Sequence, residues 1–310
     1  MRRVVSTVAQ RTLALFPGAL GDLLCCWPAL EGLRNRGAVL TLAAREAWFA
    51  ALPENAVTAL SIERREIADL FGTVPLRRAT RELFAGFARV ESWTGYGDAN
   101  VARRLAELSL GGASVHPFRD LRPAEHASEY YARCVGVAPV VRRLPVRPPA
   151  AEWADALWRR HALGDDVLAI HPGSGSARKN WQGMAELAER WRARGAGVVA
   201  IAGPAEADQP PPLRDAVLVR DEPLDRVAAA LARAARYLGN DSGISHLAGM
   251  VGARGLALFG PTDPVAWRPL GAGIRVLAAP HACDRCGADR FCAHRLPVDA
   301  VLAALSQSAE

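Results

Sequence analysis

Short apolar runs alternate along the chain with stretches in which apolar residues recur at helical spacing. The run at 12–16 predicts a strand, and the apolar positions that follow at three- and four-residue intervals predict a helix. Strands alternating with helices are typical of βαβ units and parallel sheets. In the first half we predict strands at 12–16, 38–43 and 57–62, and helices at 22–34, 45–52, 77–86, 100–110 and 124–135.

A stretch rich in Pro and Arg, residues 137–150, interrupts this alternation and is typical of a linker. The alternation then restarts and is clearer. We predict strands at 167–171, 197–202, 216–219, 237–238 and 255–259, and helices at 181–194, 224–235, 244–251 and 297–308. The sequence therefore predicts two α/β domains, residues 1–145 and 146–310, each with an open parallel sheet, facing a common cleft.

The composition agrees with two α/β domains and indicates the cellular compartment of the protein. With 310 residues, half of them hydrophobic, the chain can bury two cores. Pro17, Asp22 and Glu31 interrupt the most apolar early region, so no segment has the roughly 20 apolar residues of a membrane span. The first ten residues lack the apolar core of a secretory signal. We expect a cytoplasmic protein with reduced thiols.

The net charge of +6 lies entirely in the first half. Residues 1–150 hold 20 Arg and no Lys against 14 Asp and Glu, whereas residues 151–310 balance 18 basic against 18 acidic side chains. The excess favours an anionic partner or membrane surface for the first half. Scattered surface arginines are an equally good interpretation.

Three turns follow predicted strands and carry candidate chemistry. In the first, PGALGD at 17–22, Gly18 and Gly21 allow close backbone approach to a ligand. Asp22 is a candidate general base. Its residue type is also a favoured helix N-cap, and capping is the more frequent role for a lone Asp at such a position.

The second turn, PGSGSARKNW at 172–181, combines flexible backbone with hydroxyl and ammonium donors. Ser174, Ser176 and Lys179 suit a phosphate. The spacing matches neither the P-loop nor the GxGxxG dinucleotide motif. Taken alone, such a stretch is usually an ordinary turn.

The third turn, GNDSGISHLAG at 239–249, places polar residues between a strand and the positive end of a helix. Asp241, Ser242 and Gly243 form the turn, and His246 lies one helical turn later. An anion such as a diphosphate fits there, although a lone helical histidine is more often structural. Just downstream, FGPTDP at 259–264 offers further polar residues at the same sheet edge.

In their order, these turns resemble glycosyltransferase family 9, the ADP-heptose:lipopolysaccharide heptosyltransferases. The resemblance rests on PGALGD, HPGSGSARKNW, AGPAE at 202–206, GNDSGISHLAG and LFGPTDP, and spans nearly the whole chain. It implies the GT-B fold, with the acceptor bound by the first Rossmann-like domain and the nucleotide sugar by the second. It also implies inverting transfer without a metal ion or other cofactor.

The same resemblance assigns roles to residues of this sequence. Asp22 matches the catalytic base, Lys179 the basic residue near the diphosphate, and Glu206 an acidic residue near the ribose. The remaining implied donor contacts are Ser174, Ser176, Asp241, Ser242, Gly243 and His246. The implied partners are an ADP-sugar and a lipid-linked or oligosaccharide acceptor, with peripheral contact at the inner face of the cytoplasmic membrane and no nucleic acid.

Two features depart from the family pattern or stand outside it. Gln182 follows the motif tryptophan, where the family often has proline. The segment HACDRCGADRFCAH at 281–294 contains a CxxC and a CxH, a spacing that could bind zinc. Since relatives often carry cysteines here, we interpret this segment as a structural loop in which the cysteines are reduced. The loop contains Cys283, Cys286, Cys292, His281 and His294.

Three other functions remain open on sequence grounds. A nucleotide-sugar epimerase of the same fold would need no acceptor, and a non-catalytic binding module would need no base. The presence of Asp22, Lys179 and His246 argues against the latter. NAD-dependent redox chemistry ranks last, because no GxGxxG with a downstream acidic residue follows the first strand.

Overall fold

A computed structural model of the chain describes residues 10–203, 213–280, 282–284, 287 and 290–307. The contacts between residues divide the chain into two compact units. The first comprises the described residues within Met1–Ala19 and Cys26–Val140, and the second those within Leu20–Cys25 and Val141–Glu310.

The first unit contains a five-stranded parallel sheet in the order β3-β2-β1-β4-β5. Its apolar core includes Leu13 and Leu15 of the central strand and Phe84 of a covering helix, none of which is exposed. The elements are β1 (Gln10–Leu15), α1 (Leu20–Asn35), β2 (Ala38–Ala44), β3 (Thr58–Ser61), α2 (Arg65–Ala68), α3 (Arg78–Ala85), β4 (Arg89–Ser92), α4 (Ala99–Leu108), β5 (Ala113–Val115) and α5 (Ala127–Cys134).

The second unit contains a six-stranded parallel sheet in the order β11-β10-β9-β6-β7-β8. Every residue of β6 and β10 is buried, as expected for strands covered on both faces. The elements are α6 (Pro148–Arg160), β6 (Val167–His171), α7 (Met184–Arg192), β7 (Gly197–Ala202), β8 (Val217–Arg220), α8 (Leu224–Arg233), β9 (Arg236–Asn240), α9 (Gly243–Met250), β10 (Gly255–Phe259), α10 (Pro264–Trp267), β11 (Ile274–Ala278) and α11 (Val298–Ser306).

The predicted fold class, two α/β domains with parallel sheets, is confirmed, and several element boundaries differ. The segment predicted as a helix at 45–52 is a 3₁₀-helix, Glu46–Ala51. The end of the predicted linker forms the first turn of α6, whose first residue is Pro148. Strands β4, β5 and β11 were not predicted. Among the described residues, no helix combines the length and apolarity that a membrane crossing requires.

Candidate active site

The strand order of the second sheet reverses between β6 and β9. From β6 the sheet continues through β7 and β8 on one side, whereas β9 leads to β10 and β11 on the other. Loops that leave the carboxyl ends of two such strands diverge, and ligands of open parallel sheets bind in the space between them. The loop after β6 contains Lys179, and the loop after β9 contains Asp241. The second and third candidate turns therefore meet at the switch point of one sheet.

An ion pair joins these two loops. Lys179 Nζ lies 2.6 Å from Asp241 Oδ2. The Asp241 side chain is 7% exposed and the Lys179 side chain 28%, so the pair is screened less than a surface ion pair. A lysine ammonium has three N–H donors, and the contact with Asp241 uses one of them. The loop after β6 thus holds its cation against the end of β9.

Asn240 fixes the loop after β6. Its side chain is fully buried at the end of β9. The Oδ1 atom accepts a hydrogen bond from the Trp181 backbone N–H at 3.0 Å, and Nδ2 donates to the Pro172 carbonyl at 2.6 Å. The Trp181 indole N–H donates in turn to the Leu296 carbonyl at 3.0 Å. One amide therefore ties both ends of the loop after β6 to β9.

We expect Asn240→Ala to lower the free energy of unfolding markedly. It leaves the buried Trp181 N–H and the partly buried Pro172 carbonyl unpaired, and a buried unpaired group costs about 1–3 kcal/mol. Denaturant unfolding measures the loss. Gln182→Ala is the matched control, because its amide is exposed and donates only to the Asn180 carbonyl at 3.3 Å; we expect that change to stay within about 0.5 kcal/mol. Equal stability of the two variants would contradict the role of Asn240.

A series of hydrogen bonds between buried polar groups holds the start of α9. Ser242 is the N-cap, and its Oγ accepts from the Ser245 N–H at 3.3 Å. Ser245 Oγ donates to the Asn240 carbonyl at 2.5 Å and lies 2.8 Å from the Tyr237 hydroxyl oxygen. Burial raises the pKa of Tyr237, so this phenol stays neutral. These hydrogen bonds fix the N-terminus of α9, whose N–H groups and dipole favour an anion.

Two glycines let the start of α1 touch the start of α9. The first residues of α1, Leu20–Cys25, belong to the second unit. A Cβ added at Gly243 would lie 3.0 Å from Leu20 Cβ and 3.1 Å from Gly21 N. A Cβ added at Gly21 would lie 3.0 Å from His246 Cδ2. Any larger residue at either position would push the two helix starts apart.

His246 lies within this contact. Its side chain is buried, and Nδ1 is 3.5 Å from the Cys25 Sγ atom. The ring also packs beside the Gly21 backbone, so the histidine helps to join α1 to α9. Its proposed contact with a donor stays a prediction.

Asp22 lies inside the first turn of α1. The helix begins at Leu20, two residues earlier than predicted, so the interpretation of Asp22 as the N-cap is wrong. The residue is 5% exposed, and it directly follows Gly21, which packs on Gly243. A carboxylate in the first turn interacts favourably with the helix dipole. Asp22 is therefore a buried carboxyl group one residue after the contact of Gly21 with Gly243.

Ser174 and Ser176 shape the loop that presents Lys179. Ser174 Oγ lies 2.7 Å from both the Ser176 carbonyl and Asn180 Oδ1. Ser176 Oγ accepts from the Arg178 N–H at 3.4 Å and caps the 3₁₀-helix Ala177–Lys179. Both hydroxyls therefore make contacts within the loop.

Of the other candidate residues, some lie outside the described residues and some within them. Glu206 lies outside the described residues, as do His281 and Cys286. Asp263 is the N-cap of α10 and accepts from the Val265 N–H at 2.8 Å. After β11, the possible ligand atoms of Cys283, Cys292 and His294 all lie within 4.8 Å of one another.

The sequence interpretation missed Asn240, Tyr237 and Ser245. All three lie in or beside the third turn. Their side chains bind the backbone or each other, and their residue types do not indicate a ligand site. One signal was present in the sequence: Asn240 and Asp241 are consecutive polar residues at the end of an apolar strand.

Comparison with known proteins agrees with the family resemblance of the sequence. Residues 145–290 match the family model described as glycosyltransferase family 9 (heptosyltransferase). Lipopolysaccharide heptosyltransferase 3 of Escherichia coli is 28% identical over 152 residues, which cover 44% of this chain and 44% of that protein. The matched region thus spans less than half the length of the curated relative.

Solved structures show the same fold over nearly the whole chain. ADP-heptose lipopolysaccharide heptosyltransferase II of E. coli superposes with a TM-score of 0.72 at 18% identity, covering 96% of this chain and 98% of that one. E. coli heptosyltransferase WaaC with ADP superposes with a TM-score of 0.66 at 20% identity, covering 96% and 100%. The family resemblance and the GT-B fold predicted from the motifs are confirmed.

Proposed function

We propose, from the match of residues 145–290 to glycosyltransferase family 9, that the chain is an inverting, metal-independent glycosyltransferase. It moves a heptose or related sugar from an ADP-sugar to a lipopolysaccharide core or similar glycan. Residues 1–145 bind the acceptor and residues 146–310 the donor. The observation that carries this proposal is the Lys179–Asp241 pair beside the N-terminus of α9, at the switch point of the second sheet.

The donor diphosphate lies, in this proposal, at the start of α9. Backbone N–H groups there and the positive end of the helix favour a negative ligand. Lys179 adds a full positive charge, and Asp241, acceptor-only when ionised, receives hydrogen bonds from sugar hydroxyls. An adenine nucleotide is supported by the bound ADP of the solved WaaC structure. The other donor contacts proposed are Ser174, Ser176, Glu206, Ser242, Gly243 and His246.

Asp22 acts as the general base. Its carboxylate takes the proton of the acceptor hydroxyl while that oxygen attacks the anomeric carbon from the face opposite the diphosphate. The bond between the anomeric carbon and the β-phosphate oxygen breaks, and ADP leaves with the electron pair. Attack from the opposite face inverts the anomeric centre. Positive charge on the sugar and negative charge on ADP develop together, so donors aimed at the leaving oxygen accelerate the step.

The acceptor is anionic and lipid-linked in this proposal. The first half carries the whole excess of six positive charges. Basic surfaces are attracted to phosphorylated glycolipids and to anionic lipids at the cytoplasmic leaflet. The protein therefore works in the cytoplasm, in peripheral contact with the inner face of the membrane.

Nucleotide preference tests the proposal directly. We expect ADP to raise the melting temperature of the protein more than UDP or GDP at equal concentration, since a ligand that binds only the native state stabilises it by mass action. At a hundredfold excess over Kd the gain is about 2.7 kcal/mol. Differential scanning fluorimetry gives the ranking, and calorimetric titration gives the affinities. A preference for UDP would overturn the ADP-heptose assignment. An isomerised sugar formed from donor alone would favour an epimerase instead.

A further inference from the structure

A cavity lies at the amino ends of two strands of the second sheet. Its volume is about 550 Å³, within the range of about 300–1,000 Å³ that is typical of small-molecule pockets. Of its lining residues, Gly252 and Arg254 precede β10, and Gly271 and Gly273 precede β11. The candidate donor loops leave the opposite, carboxyl edge of this sheet. Because a strand as long as β10 spans about 16 Å, the cavity is separate from the candidate active site.

Four arginines line this cavity, and none of its described lining residues is acidic. Arg142 and Arg143 come from the segment before α6, Arg254 directly precedes β10, and Arg275 lies on β11. All four arginines are exposed. Positive charges around a concave surface reinforce one another's potential and concentrate anions there. The cavity therefore favours a negatively charged ligand.

Hydrogen bonds to the backbone account for two of the four arginines. Arg143 Nε donates to the carbonyl of Val251, the C-cap of α9, at 2.8 Å, and Arg275 donates to a carbonyl in the last turn of α11. A basic side chain at a helix C-terminus is stabilising without any ligand. Within the described part of the chain, the side chains of Arg142 and Arg254 make no hydrogen bond or ion pair. Helix capping therefore leaves Arg142 and Arg254 unexplained.

Glycines allow the backbone of the cavity wall to pack closely. A Cβ added at Gly252, where φ is +79°, would lie 2.7 Å from Arg143 Nε. A Cβ added at Gly271, where φ is +99°, would lie 2.3 Å from the Gly249 carbonyl oxygen. Both distances are shorter than van der Waals contact, and positive φ favours glycine at the same two positions. Gly252 thus allows the Arg143 side chain to lie against the backbone at the edge of the cavity.

We propose that this cavity binds a phosphorylated ligand, whose phosphate oxygens accept hydrogen bonds from Arg142 and Arg254. The planar guanidinium group binds phosphate through two parallel N–H donors. Arg143 and Arg275 contribute further positive charge. The ligand is a soluble phosphorylated compound or the headgroup of an anionic lipid, since both present the same chemical group. This site does not depend on the proposed glycosyltransferase reaction.

Arginine modification of the wild-type protein tests the site. Phenylglyoxal modifies exposed arginines, and peptide mass spectrometry gives the rate at each position. We expect pyrophosphate, compared with NaCl at equal ionic strength, to slow the modification of Arg142 and Arg254 by about threefold or more, because the phosphate covers both guanidinium groups. Arg159 and Arg160, the exposed last residues of α6, are the matched controls and should react at an unchanged rate. Equal slowing of all four arginines would overturn the proposal.

Vesicles distinguish the two sources of phosphate. In a second series, vesicles of phosphatidylglycerol replace pyrophosphate, and vesicles of zwitterionic phosphatidylcholine are the control. Protection of Arg142 and Arg254 by pyrophosphate supports a soluble ligand, and protection only by phosphatidylglycerol supports a lipid headgroup. Protection by neither would overturn the proposal.

The variant Lys179→Ala separates this site from the candidate donor site. Lys179 lies at the carboxyl edge of the sheet, so protection of Arg142 and Arg254 should persist in this variant. Loss of that protection would place the pyrophosphate at the donor loops and overturn the second site. Protection of Arg142 and Arg254 without any binding of ADP would leave the second site in place and count against the proposed function.

A double variant tests the two arginines by affinity. Arg142→Gln/Arg254→Gln removes no hydrogen bond within the described part of the chain, so we expect it to fold. It should bind the protecting ligand about tenfold or more weakly than Arg159→Gln/Arg160→Gln does, because charge-assisted hydrogen bonds to phosphate are lost. Calorimetric titration measures the binding of pyrophosphate, and cosedimentation measures the binding of vesicles. Equal affinity of the two double variants would overturn the proposal.

Discussion

Asp22→Asn should lower kcat by about 100- to 10,000-fold and leave donor affinity unchanged, because general-base catalysis contributes about that factor. Asparagine has the shape of aspartate but cannot accept the proton of the acceptor hydroxyl. The measurement is the rate of ADP release from ADP-heptose, with lipopolysaccharide from heptose-deficient cells as acceptor. Calorimetric titration with ADP gives the donor affinity of the variant.

The structure requires a control for stability in this experiment. Asp22 is buried in the first turn of α1, where a carboxylate contributes about 0.3–1 kcal/mol through the helix dipole. Glu31→Gln is the matched change, since Glu31 is a second buried carboxylate of α1 and accepts from Arg34 at 2.7 Å. We expect Glu31→Gln to lose stability and keep its turnover per folded molecule. Full turnover by Asp22→Asn would remove Asp22 from the catalytic role.

The fold was predictable wherever burial and apolarity coincide. Strands β6 and β10 are buried at every position and consist of apolar residues with one terminal histidine, so their sequences identify them. In β4 the two properties separate. Glu91 is 1% exposed, and its carboxylate is satisfied by Arg89 at 2.5 Å and His116 at 2.8 Å. Arg89 belongs to β4 itself, but His116 lies beyond β5, and that part of the pairing cannot be recognised from the sequence of β4.

Proline misled the prediction of the linker. Pro148 and Pro149 fall in the predicted linker, but they occupy the first positions of α6. Proline is favourable there because the missing N–H has no partner in the first turn and the fixed φ suits a helix. The Pro-rich composition of 137–150 thus marked a helix start as well as a connection.

The candidate site was predictable because its residues sit on turns that follow strands. Parallel strands end at one edge of a sheet, so Lys179 and Asp241 had to lie at the same edge once both strands were identified. Their 2.6 Å contact depends on β6 and β9 being neighbours, which the order of elements along the chain does not specify. The contact of Gly21 with His246 depends on packing between α1 and α9, for which periodicity gives no signal.

Lys179→Ala should lower kcat by about 100- to 1,000-fold, the effect of removing one donor aimed at a developing negative charge. Lys179 is the only lysine among the 310 residues, and its side chain is 28% exposed beside the start of α9. In the proposed reaction it stabilises the departing ADP. Arg190→Ala is the matched control, because it also removes an ion-paired cation, 2.5 Å from Asp299, on the surface helix α7. We expect the control to keep its rate.

A double variant separates lost catalysis from damage to the loop. Lys179→Ala leaves the buried carboxylate of Asp241 without its ion-pair partner, which destabilises the protein. Adding Asp241→Asn removes that charge, so Lys179→Ala/Asp241→Asn should recover stability but not the rate. Recovery of the rate would assign Lys179 a purely structural role.

Because Lys179 is the only lysine, an amine-acylating reagent reports on it directly. ADP should slow the acylation of Lys179, measured by peptide mass spectrometry. An unchanged rate of acylation would place the diphosphate elsewhere.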